Sequence, residues 1–329
     1  MPSSRSIKWG IIGCGNIANT FSEDLALSKG AELAAVASRS SKKAKLFAEK
    51  HNAKKAFGSY DCLLQDPDVD IVYIATPHVS HAELSIKAMQ NGKHVLCEKP
   101  LALNYKQASE IIRTSKETNL FFMEALWTRF NPNISAVKEL IDEGAIGKIT
   151  YINADFSFKS DKSVNSRVLD LALGGGAILD IGIYPAFLSY LILGVPKSIL
   201  GKSLLHPKTG CDLQTSMIFE YHEAQAVLFC GFMTNSDMIA KIYGTEGAIY
   251  IHRTWHMTDG FTIVKNDQEH VIENKTQGHA YVYEIQECMQ RIRDKQIESK
   301  LWSHQNSLDL ISILDRVRKE VSLVYPQEK

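Results

Sequence analysis

The run Gly13-Cys14-Gly15-Asn16-Ile17-Ala18 follows the apolar stretch IKWGIIG and leads into an amphipathic segment. Glycine-rich turns arise for structural reasons alone, but a G-x-G-x-x-A run between a buried strand and a helix is the arrangement that holds a dinucleotide. Gly13 permits the tight turn, Gly15 lets the backbone approach a pyrophosphate, and the small Ala18 allows close helix–strand packing. A helix beginning at Asn16 and Ile17 offers unpaired N–H groups and a positive dipole end to phosphate.

A second chemical signal closes the next apolar run, ELAAVAS. An NAD-preferring fold places Asp or Glu there, to bond the ribose 2′-hydroxyl. This chain reads Ser38-Arg39-Ser40, with Lys42 and Lys43 beyond and no carboxylate. A guanidinium with hydroxyl donors suits a 2′-phosphate, so NADP is the expected cofactor and NAD the alternative. Further along, Ala75-Thr76-Pro77-His78 and Glu98-Lys99-Pro100 each leave the end of an apolar run, where a doubly wound sheet binds its ligands. Gly174-Gly175-Gly176 then precedes a helical stretch in which Asp180 and Tyr184, four residues apart, share a face.

The elements that must carry these residues fall into two textures. Up to about residue 125, apolar runs (ELAAVAS, AFGSY, VDIVYIAT, KHVLCEKP, LFFMEAL) alternate with amphipathic segments at 41–51, 81–91 and 105–118. That alternation predicts a parallel, doubly wound α/β domain over residues 1–125. Residues 126–329 read as an α+β domain with a largely antiparallel sheet. Its strand-like runs are TSMIFEYHEAQAVLFCGF, DMIAKIYGTEGAIYIHRTW and GFTIVKNDQEHVI, the second punctuated by Gly244 and Gly247. Two helices close the chain, the last free to pack back on the first domain. The long strands after residue 210 leave a sheet face that needs covering by helices or a partner.

Composition excludes several function classes. Lys plus Arg and Asp plus Glu balance at 37 each, so no global field points to nucleic acid or to an anionic membrane. The N-terminus has no signal-like apolar core, and no apolar run approaches the roughly 18 residues of a membrane helix. Six scattered cysteines form no C-x-x-C and read as buried free thiols of a reducing compartment, with the cytoplasm expected. His252 and His256 are four apart in strand and loop rather than helix, so no metal site is expected there. Trp255 between them reads as lining a pocket or an interface. Phe156 and Phe158 alternate on one strand face, and Arg291–Lys300 reads as a solvated helix end.

Taken together, GCGNIA, ATPHVSH, CEKPLAL, the WTRF run and GGGAILDIGIY resemble the glucose–fructose oxidoreductase/inositol dehydrogenase (Gfo/Idh/MocA) family, nearest its dimeric dihydrodiol dehydrogenase-like branch. The resemblance covers essentially the whole chain. It implies that Lys99 contacts the nicotinamide ribose and the reacting oxygen, with Glu98 beside it. It implies that Thr76, Pro77, His78 and His81 form the loop over the adenine–pyrophosphate side, and that Trp127 and Arg129 lie over the nicotinamide. Asp180 matches the family's site carboxylate. Four residues on, most members carry His, whereas this chain has Tyr184, which argues against copying the Lys–Asp–His arrangement of the sugar dehydrogenases. A homodimer or higher homo-oligomer through the C-terminal sheet is implied as well.

The expected function is hydride transfer between nicotinamide C4 and a hydroxyl- or carbonyl-bearing carbon of a sugar, cyclic diol or related polyol. An unperturbed Tyr or Lys titrates near 10 and is a poor acid–base group at neutral pH; neighbouring cationic charge lowers that value. Tyr184 is therefore read as proton donor and acceptor, Lys99 as its electrostatic partner or alternative donor, and Asp180 as the orienting group. Phe156 and Trp127 are read as substrate-lining. Two other readings stay open: a non-catalytic NADP-binding sensor, and a redox-assisted hydrolase or lyase with a tightly held cofactor.

Overall fold

The structure is a computed structural model that describes residues 5–160 and 166–328. The chain forms two compact units. One takes the chain up to Ala102, Lys106–Phe130 and Gln277–Ser307; the other takes Leu103–Tyr105, Asn131–Thr276 and the chain from Leu308 onward.

In the first unit the strands are β1 (Ile7–Ile12), β2 (Ala31–Ala37), β3 (Lys55–Phe57), β4 (Ile71–Ile74), β5 (His94–Glu98) and β6 (Phe122–Ala125). They form one sheet in the order β3-β2-β1-β4-β5-β6, every pair parallel. Helices α1 (Asn16–Leu27), α2 (Ser41–His51), α3 (Tyr60–Leu64), α4 (His81–Gln90) and α5 (Tyr105–Thr118) alternate with them. Both faces of such a sheet are covered, which is why β4 and most of β5 are continuous apolar runs. The order reverses between β1 and β4, and there the sheet opens its binding crevice at the strands' carboxyl ends.

The second unit begins with α6 (Pro132–Asp142), capped by the Asn131 side chain, which accepts from the Asn133 N–H at 2.8 Å. β7 (Ile149–Ser157) follows, then a π-helical turn, Ile178–Gly182, which runs into α7 (Ile183–Leu193). The remaining strands are β8 (Ser198–Leu205), β9 (Asp212–Glu220), β10 (Gln225–Gly231), β11 (Ala240–Gly244), β12 (Ala248–Ile251), β13 (Gly260–Lys265) and β14 (Gln268–Glu273). They make an eight-stranded sheet, β14-β13-β12-β11-β7-β10-β9-β8, antiparallel except where β10 runs parallel to β7. Gly244 donates to the Gly247 carbonyl at 2.8 Å, closing the β11–β12 hairpin that the two glycines announce. The stretch Leu171–Leu193 is apolar and long enough by composition to cross a bilayer, contrary to the sequence reading, and 78% of its most apolar 18 residues is buried inside this unit.

α7 packs on β7 and β10, covering one face of this sheet. The other face carries a register row that includes Leu200, Ile218, Val227, Asn153, Lys241 and Tyr250. Leu200, Ile218 and Val227 are exposed.

The chain then forms α8 (Tyr281–Arg293) and α9 (His304–Glu320). A single cut near residue 125 does not divide the protein, because α8 belongs with the first unit. Its apolar stripe of Tyr281, Val282, Ile285, Cys288 and Met289 is buried, and it packs on α1. Asp24 of α1, itself fully buried, accepts from the backbone N–H of His279 at 2.9 Å and of Tyr281 at 2.8 Å, and so caps α8. One turn on, Glu284 is fully buried and neither carboxylate oxygen has a hydrogen-bond partner.

Burial, then the charges of Glu98 and Asp24, push Glu284 well above the usual carboxylate range. Unfolded, this carboxyl ionises near 4.5; folded, it holds its proton, so it costs stability increasingly as pH rises above that value. Glu284→Gln is expected to match wild type near pH 4 and to gain on it as pH rises towards 8, by up to about 1.4 kcal/mol per pH unit, because the amide has no proton to hold. Thermal denaturation across pH checks this, and parallel profiles for the two proteins would refute it.

Candidate active site

Gly13 sits at φ +98°, and a Cβ there would lie 2.5 Å from the Ala75 carbonyl oxygen, so the turn between β1 and α1 admits only glycine. Gly15 is the N-cap of α1; it offers no side chain to the first-turn amides, and a Cβ there would meet nothing within 4 Å. Asn16 is exposed, Ile17 half-buried and Ala18 fully buried against the sheet. This cradle fits a pyrophosphate: open amides, a positive helix end and room for close approach. Cys14 is turned inward, its thiol 3.6 Å from the Ala37 carbonyl and pushed up to about 11 by burial.

At the end of β2, Ser38 is buried and its hydroxyl accepts from the Ser40 N–H at 3.3 Å, while the Ser40 hydroxyl caps α2 by accepting from Lys43 N–H at 3.3 Å. Arg39 and Lys43 are exposed. Lys43 is close enough for its charge to act on Cys14 in the glycine loop. No carboxylate follows the strand, so this rim is cationic.

The loops after β4 and β5 are tied together. His81 is fully buried, with Nδ1 2.8 Å from the Pro100 carbonyl and Nε2 2.9 Å from the Thr76 carbonyl. The His81 ring thus braces the two loops. Thr76 and Pro77 are half-buried, with the Ser80 hydroxyl 3.0 Å from the Thr76 hydroxyl; His78 is buried beside His81, ring centroids 5.7 Å apart. Glu98 is likewise turned inward, accepting a short hydrogen bond from the Tyr73 hydroxyl and one at 3.3 Å from the Lys99 N–H. Lys99 is half-buried, followed by a cis peptide to Pro100.

Beneath this loop lies Glu124 of β6, which no local pattern announces. It is buried and accepts from Leu101 N–H at 3.0 Å, Trp302 Nε1–H at 3.1 Å and the Ser307 hydroxyl at 2.8 Å. Burial raises it above the usual carboxylate range; those hydrogen bonds and the Lys99 charge oppose the shift. Trp127 stacks on Tyr281 at 5.0 Å and is nearly buried, and Arg129 donates from Nε to the Leu301 carbonyl at 2.9 Å.

In the second unit, Asp180 stands on the π-helical turn and Tyr184 on the first turn of α7, rather than on one uninterrupted α-helix. Asp180 is partly exposed and pairs with Arg167 at 3.5 Å, a residue the sequence did not single out. Tyr184 is 5% exposed and belongs to an aromatic group: Phe156 of β7 lies 5.2 Å from it, His256 lies 5.3 Å from it, and Phe156 and His256 stack at 4.1 Å. His256 joins the site as a ring. His252 instead meets the Thr262 hydroxyl at 2.9 Å. Trp255 is fully buried, donating to the Asp155 carbonyl at 2.8 Å, so it is core and neither pocket lining nor interface. The cysteines are all free and buried except Cys62, which is exposed.

Comparison with known proteins agrees with this geometry. Residues 7–126 match the model of the oxidoreductase family with an NAD-binding Rossmann fold, and residues 134–250 match the GFO/IDH/MocA C-terminal domain. Trans-1,2-dihydrobenzene-1,2-diol dehydrogenases are similar over the whole length. The Xenopus tropicalis enzyme is 36% identical over 97% of this chain and 99% of its own, and the Mus musculus enzyme 32% identical over 98% and 99%. Among solved structures, the 3-ketoreductase KijD10 of Actinomadura kijaniata, in complex with TDP-benzene and NADP, superposes with a TM-score of 0.86. It is 26% identical over 96% of this chain and 98% of its own. The chain thus belongs to the Gfo/Idh/MocA family of oxidoreductases, with an NAD(P)-binding Rossmann domain at its N-terminal end.

Proposed function

We propose that this oxidoreductase is an NADP-dependent dehydrogenase of a cyclic diol, sugar or related polyol. The single observation that carries the reading is the pairing, in one chain, of the side-chain-free α1 N-terminus with the Asp180–Tyr184 segment and its aromatic neighbours. When bound, the nicotinamide supplies the hydride chemistry. The chain's own residues do the rest. The amides after Gly13 and Gly15 hold the pyrophosphate, and Arg39 with Ser38 and Lys43 meets the 2′-phosphate. The loops at Thr76–His78 and Lys99, with Trp127 and Arg129, hold the nucleotide in register. Tyr184 gives and takes the proton of the reacting oxygen, Lys99 stabilises charge there, and Asp180, paired with Arg167, orients the substrate. Phe156 and Tyr184 present ring faces to the substrate's apolar side. The dihydrodiol substrate in the relatives' name and the NADP held by the 3-ketoreductase support this reading.

The domain assignment we propose is a nucleotide half over residues 1–125 and a substrate and dimerisation half over residues 126–329, with α8 counted with the former. The exposed row through Leu200, Ile218 and Val227 is the proposed dimer face. The free cysteines suit a reducing compartment, and the cytoplasm is the proposed location.

Recording reduced nicotinamide absorbance (about 340 nm) against a panel of cyclic diols and sugars, with both cofactors, tests the activity. Steady net reduction is expected; product formation without it would favour the tethered-cofactor hydrolase or lyase, and no turnover the sensor. For the cofactor, Arg39→Asp should weaken NADP binding by about 1.5–3 kcal/mol, the range of a hydrogen bond to a charged group, and leave NAD binding equal or better. A wild-type protein that binds NAD more tightly than NADP in calorimetric titration would sink this assignment.

For the chemistry, Tyr184→Phe should lower turnover by about 100- to 10,000-fold with NADP affinity kept, whereas Lys99→Ala should impair both. Near-normal turnover of Tyr184→Phe would move the proton role to Lys99. For assembly, light scattering at micromolar concentration should give a dimer, converted to monomer by Ile218→Glu; a monomeric wild type removes the inference.

A further inference from the structure

We propose that Asp212, at the start of β9, is a positioning residue for the reaction: its buried carboxylate holds the backbone turn that carries Asp180 and leads into the first turn of α7, where Tyr184 stands. The inference rests on the reading of Tyr184 given above. Asp212 is fully buried, and its Oδ2 accepts from the Ile178 N–H at 2.6 Å and from the Thr215 hydroxyl at 3.3 Å. The Ala177 N–H also bonds to this carboxylate. The contact therefore lands two and three residues before Asp180, at the mouth of the π-helical turn.

The sequence has made room for it. Gly176 sits at φ +124°, and a Cβ there would come within 2.1 Å of Asp212 Oδ1. Alanine at 176 would thus be excluded by backbone conformation and by the carboxylate together. The preceding Gly175 is held from the other side, its carbonyl accepting from the Tyr325 hydroxyl at 3.1 Å. The Gly174–Gly176 run is thereby held at Gly175 by a phenol, and the residues just after it by a carboxylate. Oδ1 has no hydrogen-bond partner, so the side chain's bonds go to the turn and to Thr215.

Such a brace is sensitive to its own charge. Burial pushes Asp212 up to about 7 against the opposing hydrogen bonds, placing its ionisation in the working range. Neighbouring groups do not supply a counter-charge that would prevent this. Cys211 beside it, Cys230 on β10 and the Tyr325 phenol are each pushed up by burial and stay neutral. Arg318, whose charge acts on Tyr325, lies over that ring at 5.1 Å and is engaged by Asp315 and Glu328. On the segment itself, Asp180 is paired with Arg167. As pH falls through about 7, Asp212 takes a proton and its charge-assisted bonds to Ile178 and Ala177 become neutral ones. The turn then loosens, and Tyr184 loses its fixed place.

The test has two arms. In wild-type protein without substrate, amide hydrogen exchange over residues 176–184, corrected for the intrinsic rate, should be faster at pH 6 than at pH 8, with β9 and β10 unchanged. In Asp212→Asn, exchange there should be fast at both pH values. Turnover on the diol or sugar substrate should fall about 10- to 100-fold, as a misplaced catalytic group costs, with KM and NADP affinity kept and the acid-side decline of kcat gone. Wild-type exchange independent of pH, or an Asp212→Asn enzyme with the wild-type kcat profile, overturns the proposal. The wild-type exchange measurement needs neither turnover nor a folded variant. A normal Tyr184→Phe enzyme would remove the assignment of Tyr184, and exchange alone would still decide whether Asp212 braces the turn.

Discussion

Backbone N–H groups at the ends of helices and strands must find acceptors, and in this protein buried carboxylates supply them where chemistry is to be placed. Asp24 takes the amides at the start of α8, Glu124 takes Leu101 in the loop after β5, and Asp212 takes Ile178 at the π-helical turn. Each acid reaches across a large sequence separation, and each is buried. A charged acceptor bonds roughly twice as strongly as a neutral one, so a single side chain can fix a loop that no ladder holds. The cost is desolvation, visible in the upward displacement of Glu124 and Asp212.

That constraint explains the discontinuous first unit. The Glu98-Lys99-Pro100 loop stands on Glu124, and Glu124 is in turn satisfied by Trp302 and Ser307, which arrive from the chain's far end. Trp127 depends on the ring of Tyr281, and Arg129 on the carbonyl of Leu301. Without residues 277–307, Glu124 would lose the Trp302 and Ser307 donors, Arg129 the Leu301 carbonyl, Trp127 its stacking partner and α1 its cover. The return of the chain to the nucleotide half is therefore part of how the lysine is held, beyond adding a helix to the core.

Much of this was legible in the sequence, because strands buried on both faces and amphipathic helices leave local periodic signals. The helices at 41–51 and 105–118 stand where their spacing puts them, and the glycine loop follows from its neighbours alone. The braces were not legible. A lone Asp or Glu that reaches a backbone amide dozens or hundreds of residues away imposes no period and no motif. Nor does spacing separate a ring that meets a ligand from one that fills a core: Trp255 reads as lining a pocket or an interface and is fully buried. His81 and Glu98 sit inside cofactor motifs, yet their side chains turn inward, since a motif fixes which loop is involved but not which way each side chain points. The π-helical turn escaped for a related reason. Asp180 and Tyr184 keep a four-residue spacing whether the turn is α or π, and the wider turn is set by Gly176 and Asp212.

The helix N-termini show which amides the fold closes and which it leaves open. α2, α3 and α6 begin with their own side-chain caps, from Ser40, Ser59 and Asn131. α8 begins at Ala280, which cannot cap, and borrows Asp24. α4 and α7 continue from a preceding turn, whose carbonyls already meet their first amides. α1 starts straight from a loop with Gly15 at the cap and no side chain bonded to it. An uncapped start of this kind costs about 1 kcal/mol against Ser, Asp or Asn, and a glycine in its place recovers much of that through solvent access to the amides. Solvent access is also what an anion needs. The residue that keeps α1 tolerably stable when the loop is hydrated is the same one that lets a phosphate replace the water, so the nucleotide cradle requires no rearrangement of the helix to form.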